Sequence, residues 1–271
     1  MYSQKFSFTE IPSGNQHLKC RRFMFHEHLD GRIMADGHVD FLMIVSGEAF
    51  WLGPGQKKFV PLAPLTAFPL GQSWSCFHIN SGTQLINLKV RPDLLKADLM
   101  RNLTGNQPID LQKVMLPEVF DRLKMVFEEA LLNGDLNTLF SFIVEKNGNT
   151  RQSLSESFNI ILEACAAETD LFSPISEIFL KRGHAYKKIA RDFKQTTGFP
   201  LKRYFDTLRF HRAIHAIRSQ SDQLHGNLIE ALRYGYYDQS HFVKWSRSIS
   251  GLNPSMLIKH LPQGASDFLV S

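Results

Sequence analysis

The chain has 271 residues, of which 43% are hydrophobic, and its formal net charge is +5. This length allows one or two domains with cores of their own, and the composition is that of ordinary globular proteins. No run approaches the ~20 apolar residues of a membrane span, and residues 1–15 lack a basic segment followed by an apolar one. We therefore expect neither a membrane partner nor a secretory signal.

The cysteines indicate the cellular compartment, and the nucleotide-binding motifs indicate whether a cofactor is expected. Cys20, Cys76 and Cys165 are odd in number, far apart and match no zinc spacing. This usage indicates a reducing cytoplasm. Neither a P-loop nor a GxGxxG motif is present, so no cofactor is expected.

Positive charge is concentrated in the second half of the chain. Residues 1–150 contain 15 Lys and Arg against 15 Asp and Glu, whereas residues 151–260 contain 16 against 10. Within residues 181–218 the numbers are 11 against 2. A basic half beside a neutral one indicates nucleic-acid contact through the former, although a merely solvated basic face would give the same count.

The first third of the chain has the pattern of β structure. Short apolar runs are separated by turn signals such as Asp30-Gly31, Ser46-Gly47 and Ser81-Gly82. Regular short strands with such turns predict a barrel or a sandwich. The predicted strands are Arg21–Phe25, Asp40–Val45, Ala49–Leu52 and Leu85–Val90.

After residue 91 the apolar residues change to a helical period. Leu94, Leu95 and Leu99 predict one helix face, and Pro117 suits the first turn of a second helix. Asn133-Gly134-Asp135 predicts the end of that helix, and a third is expected from Leu136 to Glu145. Such apolar stripes serve either as core faces or as a face for a homodimer.

Near the C-terminus, an apolar helix (Leu228–Leu232) is followed by a glycine turn and a further helix. Gly235 suits the left-handed residue of a tight turn, and Asp238 suits a helix N-terminus. The further helix directs Phe242 inward and ends at Gly251. Two helices joined by such a turn form the motif that places its second helix in a DNA major groove.

The same plan occurs once more upstream. A helix candidate at Ile175–Lys181 is followed by a turn at Gly183 and by a second helix at Tyr186–Gln195. A long helix from about Lys202 to Arg218 is expected to join the two units. Its apolar side chains are expected to serve both small cores; they are Phe205, Leu208, Ala213, Ile214 and Ile217.

These segments carry a family resemblance. Gly235–Phe242 (GYYDQSHF), followed nine residues later by GLNPS, resembles the C-terminal signature of AraC/XylS-type transcription regulators. Phe193–Ala213 resembles the family's F-x-x-x-x-G…Y…LR-x-x-R-A stretch, and His38–Glu48 resembles the strand pair that opens its cupin-like sensor barrel. The implied domains are a β-barrel sensor over 1–91, a helical segment over 92–148 with a linker at 145–150, a DNA-binding domain over 155–260 and a tail over 261–271.

Three positions depart from the family pattern. Ala185 stands where a helix-capping Ser is usual, and such a replacement commonly costs ~1 kcal/mol. Glu230 and Ser246 stand where apolar residues are usual. We expect Ile229 and Trp245 to compensate through small rotations. Whether the first unit still reads bases is left open.

The residues expected to contact DNA lie on the outward faces of the two second helices. Arg and Lys can donate to guanine, and Gln can read adenine, whereas phosphate contacts give affinity without sequence information. By resemblance, base contacts are expected from Lys187, Ala190 and Arg191, and from Gln239, Ser240, His241, Val243 and Lys244. Phosphate contacts are expected from Lys188, Lys194, Lys202, Arg203 and Arg247. Alternatively, Gln239 braces its own helix and His241 packs on Tyr237.

The N-terminal histidines raise a metal-enzyme alternative. On a strand, His26-Glu27-His28 would point both imidazoles to one side, as some cupin metal sites require, and His38 and His78 could add ligands. The Glu and Gly that complete the metal-cupin motif are missing, and no Ser/His/Asp array is present. We therefore expect hydrogen-bonded histidines, no metal and no catalysis.

The β domain is instead expected to bind a small-molecule effector. A ligand cavity needs an apolar interior with a few polar groups. The aromatic residues that could line it, or equally form a plain core, are Phe41, Phe50, Trp51, Phe68, Trp74 and Phe77. No effector-binding residue can be assigned from the sequence.

The sequence thus predicts an α+β multidomain protein, with an N-terminal cupin-like β-barrel followed by helices and a C-terminal all-α domain of two helix–turn–helix units. The predicted function is that of a cytoplasmic, bacterial, sequence-specific transcription regulator, an activator that binds double-stranded DNA and, by resemblance, RNA polymerase. An effector or a homodimer contact would control it. The alternatives are a metal-dependent cupin enzyme and an interaction protein with a degenerate DNA-binding domain.

Overall fold

The computed structural model describes residues 5–12, 18–71, 73–103, 105, 107–134, 136–144, 152–166, 173–219, 232–260 and 268–270. The fold class is α+β, as predicted, with strands first and helices after them. The strands are β1 (Phe6–Ile11), β2 (Leu18–Phe25), β3 (Leu29–Ile33), β4 (Val39–Ser46), β5 (Ala49–Leu52), β6 (Val60–Pro61), β7 (Leu65–Phe68), β8 (Ser75–Ile79), β9 (Gln84–Val90), β10 (Ile109–Asp110) and β11 (Phe268–Val270).

The described strands form two antiparallel sheets that face each other. One sheet has the order β1-β2-β9-β4-β7-β10, and the other has the order β11-β3-β8-β5-β6. Because side chains alternate along a strand, Leu42 of β4 lies between the sheets with Phe77, whereas its neighbour Phe41 belongs to a core shared with the helices. The predicted N-terminal β domain is therefore present, and the first sheet has an apolar core on each side.

Helices follow the β domain. A 3-10 turn (Pro92–Leu94) leads into the helical segment, and Gly134, at φ +66°, ends the longest helix of that segment, as predicted. The α-helices are α1 (Ala97–Asn102), α2 (Leu111–Val114), α3 (Pro117–Asn133), α4 (Asn137–Ile143), α5 (Gln152–Ala166), α6 (Ile175–Lys181), α7 (Tyr186–Thr197), α8 (Leu201–Ser219), α9 (Gln239–Ser250) and α10 (Pro254–His260). None of the described helices is both long enough and apolar enough to cross a membrane.

The long helix α8 serves two apolar clusters, as predicted. Its first half contributes Phe205 to the large core that also contains α5, α7 and the outer face of the first sheet. Its second half contributes Phe210 and Ile214 to a smaller cluster with Phe242 of α9. Buried residues of the large core lie on both sides of the predicted boundary at residue 148, and the division into domains there remains a prediction.

Several local expectations are corrected. Asp30-Gly31 is not a turn but lies inside β3, where Gly31 pairs with Phe77 of β8. The apolar run from Leu94 to Leu99 is not one helix, because Leu95 is extended and separates the 3-10 turn from α1. Part of the predicted tail is strand β11, which pairs with β3. The predicted linker at 145–150, and Glu230 with most of the helix before Gly235, lie outside the described residues.

Candidate nucleic-acid interface

The second helix–turn–helix unit is built around α9. Gly235 occupies the turn with φ +75°, and the Arg209 guanidinium of α8 donates to its carbonyl oxygen at 3.3 Å. Asp238 is the N-cap of α9, and its carboxylate accepts from the backbone N–H of His241 at 2.6 Å. The turn and the start of the helix are therefore each fixed by a charged side chain, since an N-cap satisfies an otherwise unpaired N–H.

Ser246, which stands where an apolar residue is usual, is buried and hydrogen-bonded. Its side chain is fully buried, and its hydroxyl donates to the carbonyl oxygen of Leu252 at 2.7 Å, beyond the helix end at Gly251. Ser250 in turn donates to the carbonyl oxygen of Ser246 at 2.7 Å. These two hydroxyl groups thus form hydrogen bonds on the buried side of the C-terminal end of α9.

The outward face of α9 carries the predicted DNA-binding side chains. Gln239, Ser240, Lys244 and Arg247 are exposed, and Val243 is half-buried. The Arg247 Nε donates to the Asn253 side chain at 2.6 Å. Gln239 and Lys244 are accordingly presented to solvent on one side of a firmly anchored helix.

His241 is less accessible for DNA contact than its place in the family pattern predicted. It is half-buried, its ring packs edge-on against Tyr236 with centroids 5.5 Å apart, and Trp245 Nε1 donates to its Nε2 at 3.0 Å. The neighbouring ring that it packs on is thus Tyr236 and not Tyr237, which is 89% exposed. Its role in DNA contact remains a prediction.

Arg203 joins α8 to α9, and its expected contact with phosphate remains a prediction. Its guanidinium lies 4.3 Å from the centroid of the Trp245 ring and donates to the Ser248 hydroxyl at 2.7 Å. Burial lowers the pKa of this guanidinium, with Asp206 opposing the shift. The adjacent Lys202 is exposed and remains a candidate for phosphate contact.

The first unit has the predicted helices and turn. Gly183 occupies the turn with φ +77°, and α7 ends at Gly198, which has φ +70°. Phe193 is buried against Phe158 of α5, with ring centroids 5.0 Å apart. Ala185 is the N-cap of α7 and makes no side-chain capping bond. The first unit therefore lacks the N-terminal anchor that the second unit has.

The outward face of α7 is basic. Lys187, Lys188, Arg191 and Lys194 are exposed, whereas Ala190 is half-buried against the large core. The Arg191 Nε lies 3.4 Å from the carboxylate of Asp192, which is a weak surface contact. Helix α7 also contacts α1 of the preceding helical segment. The first unit is thus supported by the N-terminal half of the chain.

The second unit also contacts the β domain. The Arg32 guanidinium lies 4.7 Å from the centroid of the Trp74 ring and donates to the carbonyl oxygen of Gly251 at 3.3 Å. The His211 imidazole of α8 lies 2.6 Å from the carbonyl oxygen of Ala35. Since Met34 and Ala35 also belong to the apolar cluster of α9, the loop after β3 is part of the second unit's core.

A cavity of about 670 Å³ lies where this loop, the β domain and α8 meet. Of the aromatic residues considered from sequence, Trp51, Phe68 and Phe77 line it. Phe41 lies in the core shared with the helices, Phe50 contacts His78, and Trp74 stacks on Arg32. Its polar lining residues include Asp36, His38, Asp40 and Asn87, and alternation alone did not reveal them.

The candidate metal ligands are dispersed. His26 and His28 lie in the bend between β2 and β3, not on a strand, and His26 hydrogen-bonds the Ser7 hydroxyl at 3.0 Å. His78 pairs with Asp30 at 2.8 Å. Among the residues that the structure describes, no three His, Cys, Asp or Glu side chains are grouped so that they could hold a metal ion.

Comparison with known proteins gives weak structural likenesses. No family profile matches the chain, and no curated protein matches it in sequence. It is similar to ToxT from Vibrio cholerae O395 (10% identity, TM-score 0.45, 94% of this chain and 98% of that one) and to unsaturated fatty acid bound ToxT from V. cholerae strain SCE256 (10%, 0.44, 90% and 95%). Its N-terminal third is similar to an RmlC-like cupin from Desulfovibrio desulfuricans (15%, 0.27, 33% and 85%).

Proposed function

We propose that the protein is a sequence-specific, double-stranded DNA-binding transcription regulator of the AraC/XylS type. The observation that carries the proposal is the pair of helix–turn–helix units at the two ends of α8, each with a buried aromatic anchor and a polar, basic outer face. Phe193 anchors α7, and Phe242 anchors α9. Both second helices end at a left-handed glycine and expose Lys or Arg one to two turns from their start.

The two second helices would enter successive segments of the major groove, about 34 Å apart. Arg191 and Lys244 are the side chains proposed to reach guanine edges, and Gln239 is proposed to read adenine. Lys188, Lys194 and Lys202 would contact phosphates, which position the protein without reading sequence. The regulator would act in the cytoplasm as an activator that recruits RNA polymerase, with no catalytic step and no membrane contact.

Control by a small-molecule effector is part of the proposal. The large cavity is bounded by the β domain on one side and by Pro200, Arg203 and Ser248 of the proposed DNA-binding half on the other. A ligand there would contact both halves, and it could shift the protein between two arrangements only through different affinities for them. A homodimer through the helical segment is the second proposed control, supported by the exposed Leu116, Met125 and Leu132 of that segment.

The test is selection of bound sequences from random duplexes by the full chain at two salt concentrations. We expect an enriched motif of two blocks about 10 bp apart. Lys244→Ala should erase the preference in one block and Arg191→Ala in the other, each costing about 1–3 kcal/mol on the preferred site. Lys124→Ala, which removes a half-exposed lysine of α3, is the matched control and should change neither block.

Two outcomes would replace the proposal. A single block sensitive only to Lys244→Ala would mean that α9 reads DNA and α7 merely holds phosphate. No enriched motif, with an affinity that falls steeply as salt rises, would favour an interaction protein whose units no longer read bases. A purified protein that retains Zn, Fe, Mn or Ni would reopen the alternative of a metal-dependent enzyme.

A further inference from the structure

Two carboxylates that line the large cavity, those of Asp36 and Asp40, share one buried lysine. The ammonium of Lys89 lies 2.6 Å from Asp36 Oδ2 and 3.2 Å from Asp40 Oδ1. The side chains of Lys89 and Asp36 are each 7% exposed, and Asn87 donates to Asp40 Oδ1 at 2.7 Å. The antiparallel register of β4 and β9, which pairs Asp40 with Lys89, brings these groups together.

The two carboxylates are not equally compensated. Burial disfavours the charge of Asp36, but Lys89 and His38 outweigh it and hold the pKa of Asp36 well below its usual range. For Asp40, burial is the larger effect and raises the pKa, although Lys89 opposes it. The hydrogen bond from Asn87 and the contact with Lys89 both use Oδ1 of Asp40. Among the described residues, Oδ2 has no hydrogen-bond donor.

A second group at the cavity wall also lacks a partner. Trp51 is 2% exposed and lines the cavity, and within the described part of the chain its indole Nε1 has no hydrogen-bond acceptor. An unpaired buried donor is unfavourable, so a turn of the indole that brings Nε1 to the cavity and to a ligand oxygen would gain a hydrogen bond. Beside it, the rings of Phe68 and Phe77 lie 5.5 Å apart and complete an aromatic wall.

We propose that this cavity binds a small organic amine that also carries an oxygen, with its protonated nitrogen at Asp40 and its oxygen at Trp51 Nε1. The class would include amino alcohols and hydroxylated arylalkylamines. Asp36 is already paired with Lys89 and His38, so a cation would pair with Asp40, and the aromatic rings would also attract it. The volume lies within the range of roughly 300–1,000 Å³ that is usual for ligand pockets.

The charges of the cavity argue against the other ligand classes. A carboxylate ligand would face Asp36 and Asp40 in a buried site, where like charges repel strongly. A neutral alcohol could accept from Trp51 but would leave the charge of Asp40 uncompensated. The guanidinium of Arg203 also lines the cavity, but it is stacked on the Trp245 ring and donates to Ser248.

The experiment measures binding of matched probes to the full chain by calorimetry, without DNA. The probes are tyramine, 2-(4-hydroxyphenyl)ethanol and (4-hydroxyphenyl)acetate, together with 4-aminobutan-1-ol, butane-1,4-diol and 4-hydroxybutanoate. In each set we expect the amine to bind at least tenfold more tightly than the alcohol, and the carboxylate not to bind. Alcohols or carboxylates that bind as well as the amines, or amines that do not bind, would overturn the inference.

Variants assign the two contacts. Asp40→Asn should weaken amine binding at least tenfold, and Trp51→Phe should remove the advantage of tyramine over 2-phenylethylamine, which lacks the oxygen. Asp30→Asn, at a carboxylate that is 68% exposed on β3, is the control and should change nothing. If Asp40→Asn does not fold, Trp51→Phe and the probe series still decide the outcome.

The inference rests on the proposed effector role of the cavity, but the two can fail separately. Amine binding without any selected DNA motif would leave the ligand class standing and refute the regulator. A selected motif without amine binding would do the reverse.

Discussion

Helices α7 and α9, the proposed DNA-reading helices, both have 12 residues and both end at a left-handed glycine, but they are held differently. Helix α9 has its own cap at Asp238, internal hydroxyl bonds at Ser246 and Ser250, and Arg203 stacked on Trp245. Helix α7 has no side-chain cap, and its buried residues belong to a core continuous with the β domain. The second unit therefore has hydrogen bonds of its own at both ends of α9 in addition to its contacts with the β domain, whereas the first relies mainly on its surroundings.

This difference has a functional consequence. A change in the β domain or in α1 would alter the support of α7 directly, because these elements share its core or contact it. The β domain reaches α9 mainly through Arg32, Trp74 and the Met34–Ala35 loop. We infer that an effector would adjust how the two units are presented together, with α9 as the more constant element.

The largest expected effect breaks the contact between α9 and the β domain. Gly251 has φ +74°, and an added Cβ would lie 2.7 Å from Trp74 Cε2 and 2.8 Å from Arg32 Nη1. Gly251→Ala should lower the free energy of unfolding by about 2–4 kcal/mol, since strain of a left-handed residue is joined by overpacking. Urea unfolding of the full chain measures it.

Gly134→Ala is the matched control for Gly251→Ala. Gly134 also ends a helix at positive φ, +66°, but nothing lies within 4 Å of the added Cβ. It should show the backbone strain alone, about 1 kcal/mol. Equal losses for the two variants would mean that the contact of α9 with Trp74 and Arg32 adds nothing to stability.

The next effect concerns the interior of the second unit. Ser246→Ala should cost about 1–3 kcal/mol, because it leaves the carbonyl of Leu252 without its 2.7 Å donor in a buried site. Ser141→Ala removes an exposed hydroxyl of α4 that donates to Thr138 and should stay within about 0.5 kcal/mol. Denaturant midpoints compare the two, and a silent Ser246→Ala would show that the 3.4 Å contact from Ser250 suffices.

Ser246 also marks the limit of prediction from sequence. Helix ends were predicted within about two residues where glycine, proline or an acidic cap gives a local signal, as at Gly198, Pro117 and Asp238. The partner of Ser246 lies beyond a helix end, and that of Arg203 lies on another helix. Neither partnership has a local signal, so neither hydrogen bond could be predicted from the sequence.

The charged residues of the cavity were not predicted, for a similar reason. They depend on the register that places Asp40 of β4 beside Lys89 of β9, 49 residues apart in the chain. A signal was nevertheless present, since Asn87 and Lys89 interrupt the inward-facing positions of an otherwise apolar strand. A polar residue at an inward position requires a buried partner, and that requirement predicts a site even where the partner cannot be named.

A smaller effect tests the cap of α9. Asp238→Ala should cost about 1 kcal/mol, since the N–H of His241 loses its acceptor. Asp238→Asn keeps a side-chain oxygen at the cap and should lose much less. Unfolding of both variants measures the difference, and equal losses would assign the effect to the charge of Asp238 near the helix N-terminus and not to capping.

The smallest expected effect comes from giving α7 the side-chain N-cap that α9 already has. The backbone at Ala185 is extended (φ −79°, ψ 93°), the conformation that a capping residue adopts. Ala185→Ser should therefore stabilise the protein by about 0.5–1 kcal/mol, and Ala185→Val, which has no acceptor, should not. If the missing cap is what weakens DNA reading by α7, Ala185→Ser should also strengthen the block of the selected motif that Arg191→Ala erases. A gain in stability without that change would mean that capping of the first turn does not determine how tightly α7 binds DNA. The determining factor would then be the packing of α7 against α1 and the core of the first sheet.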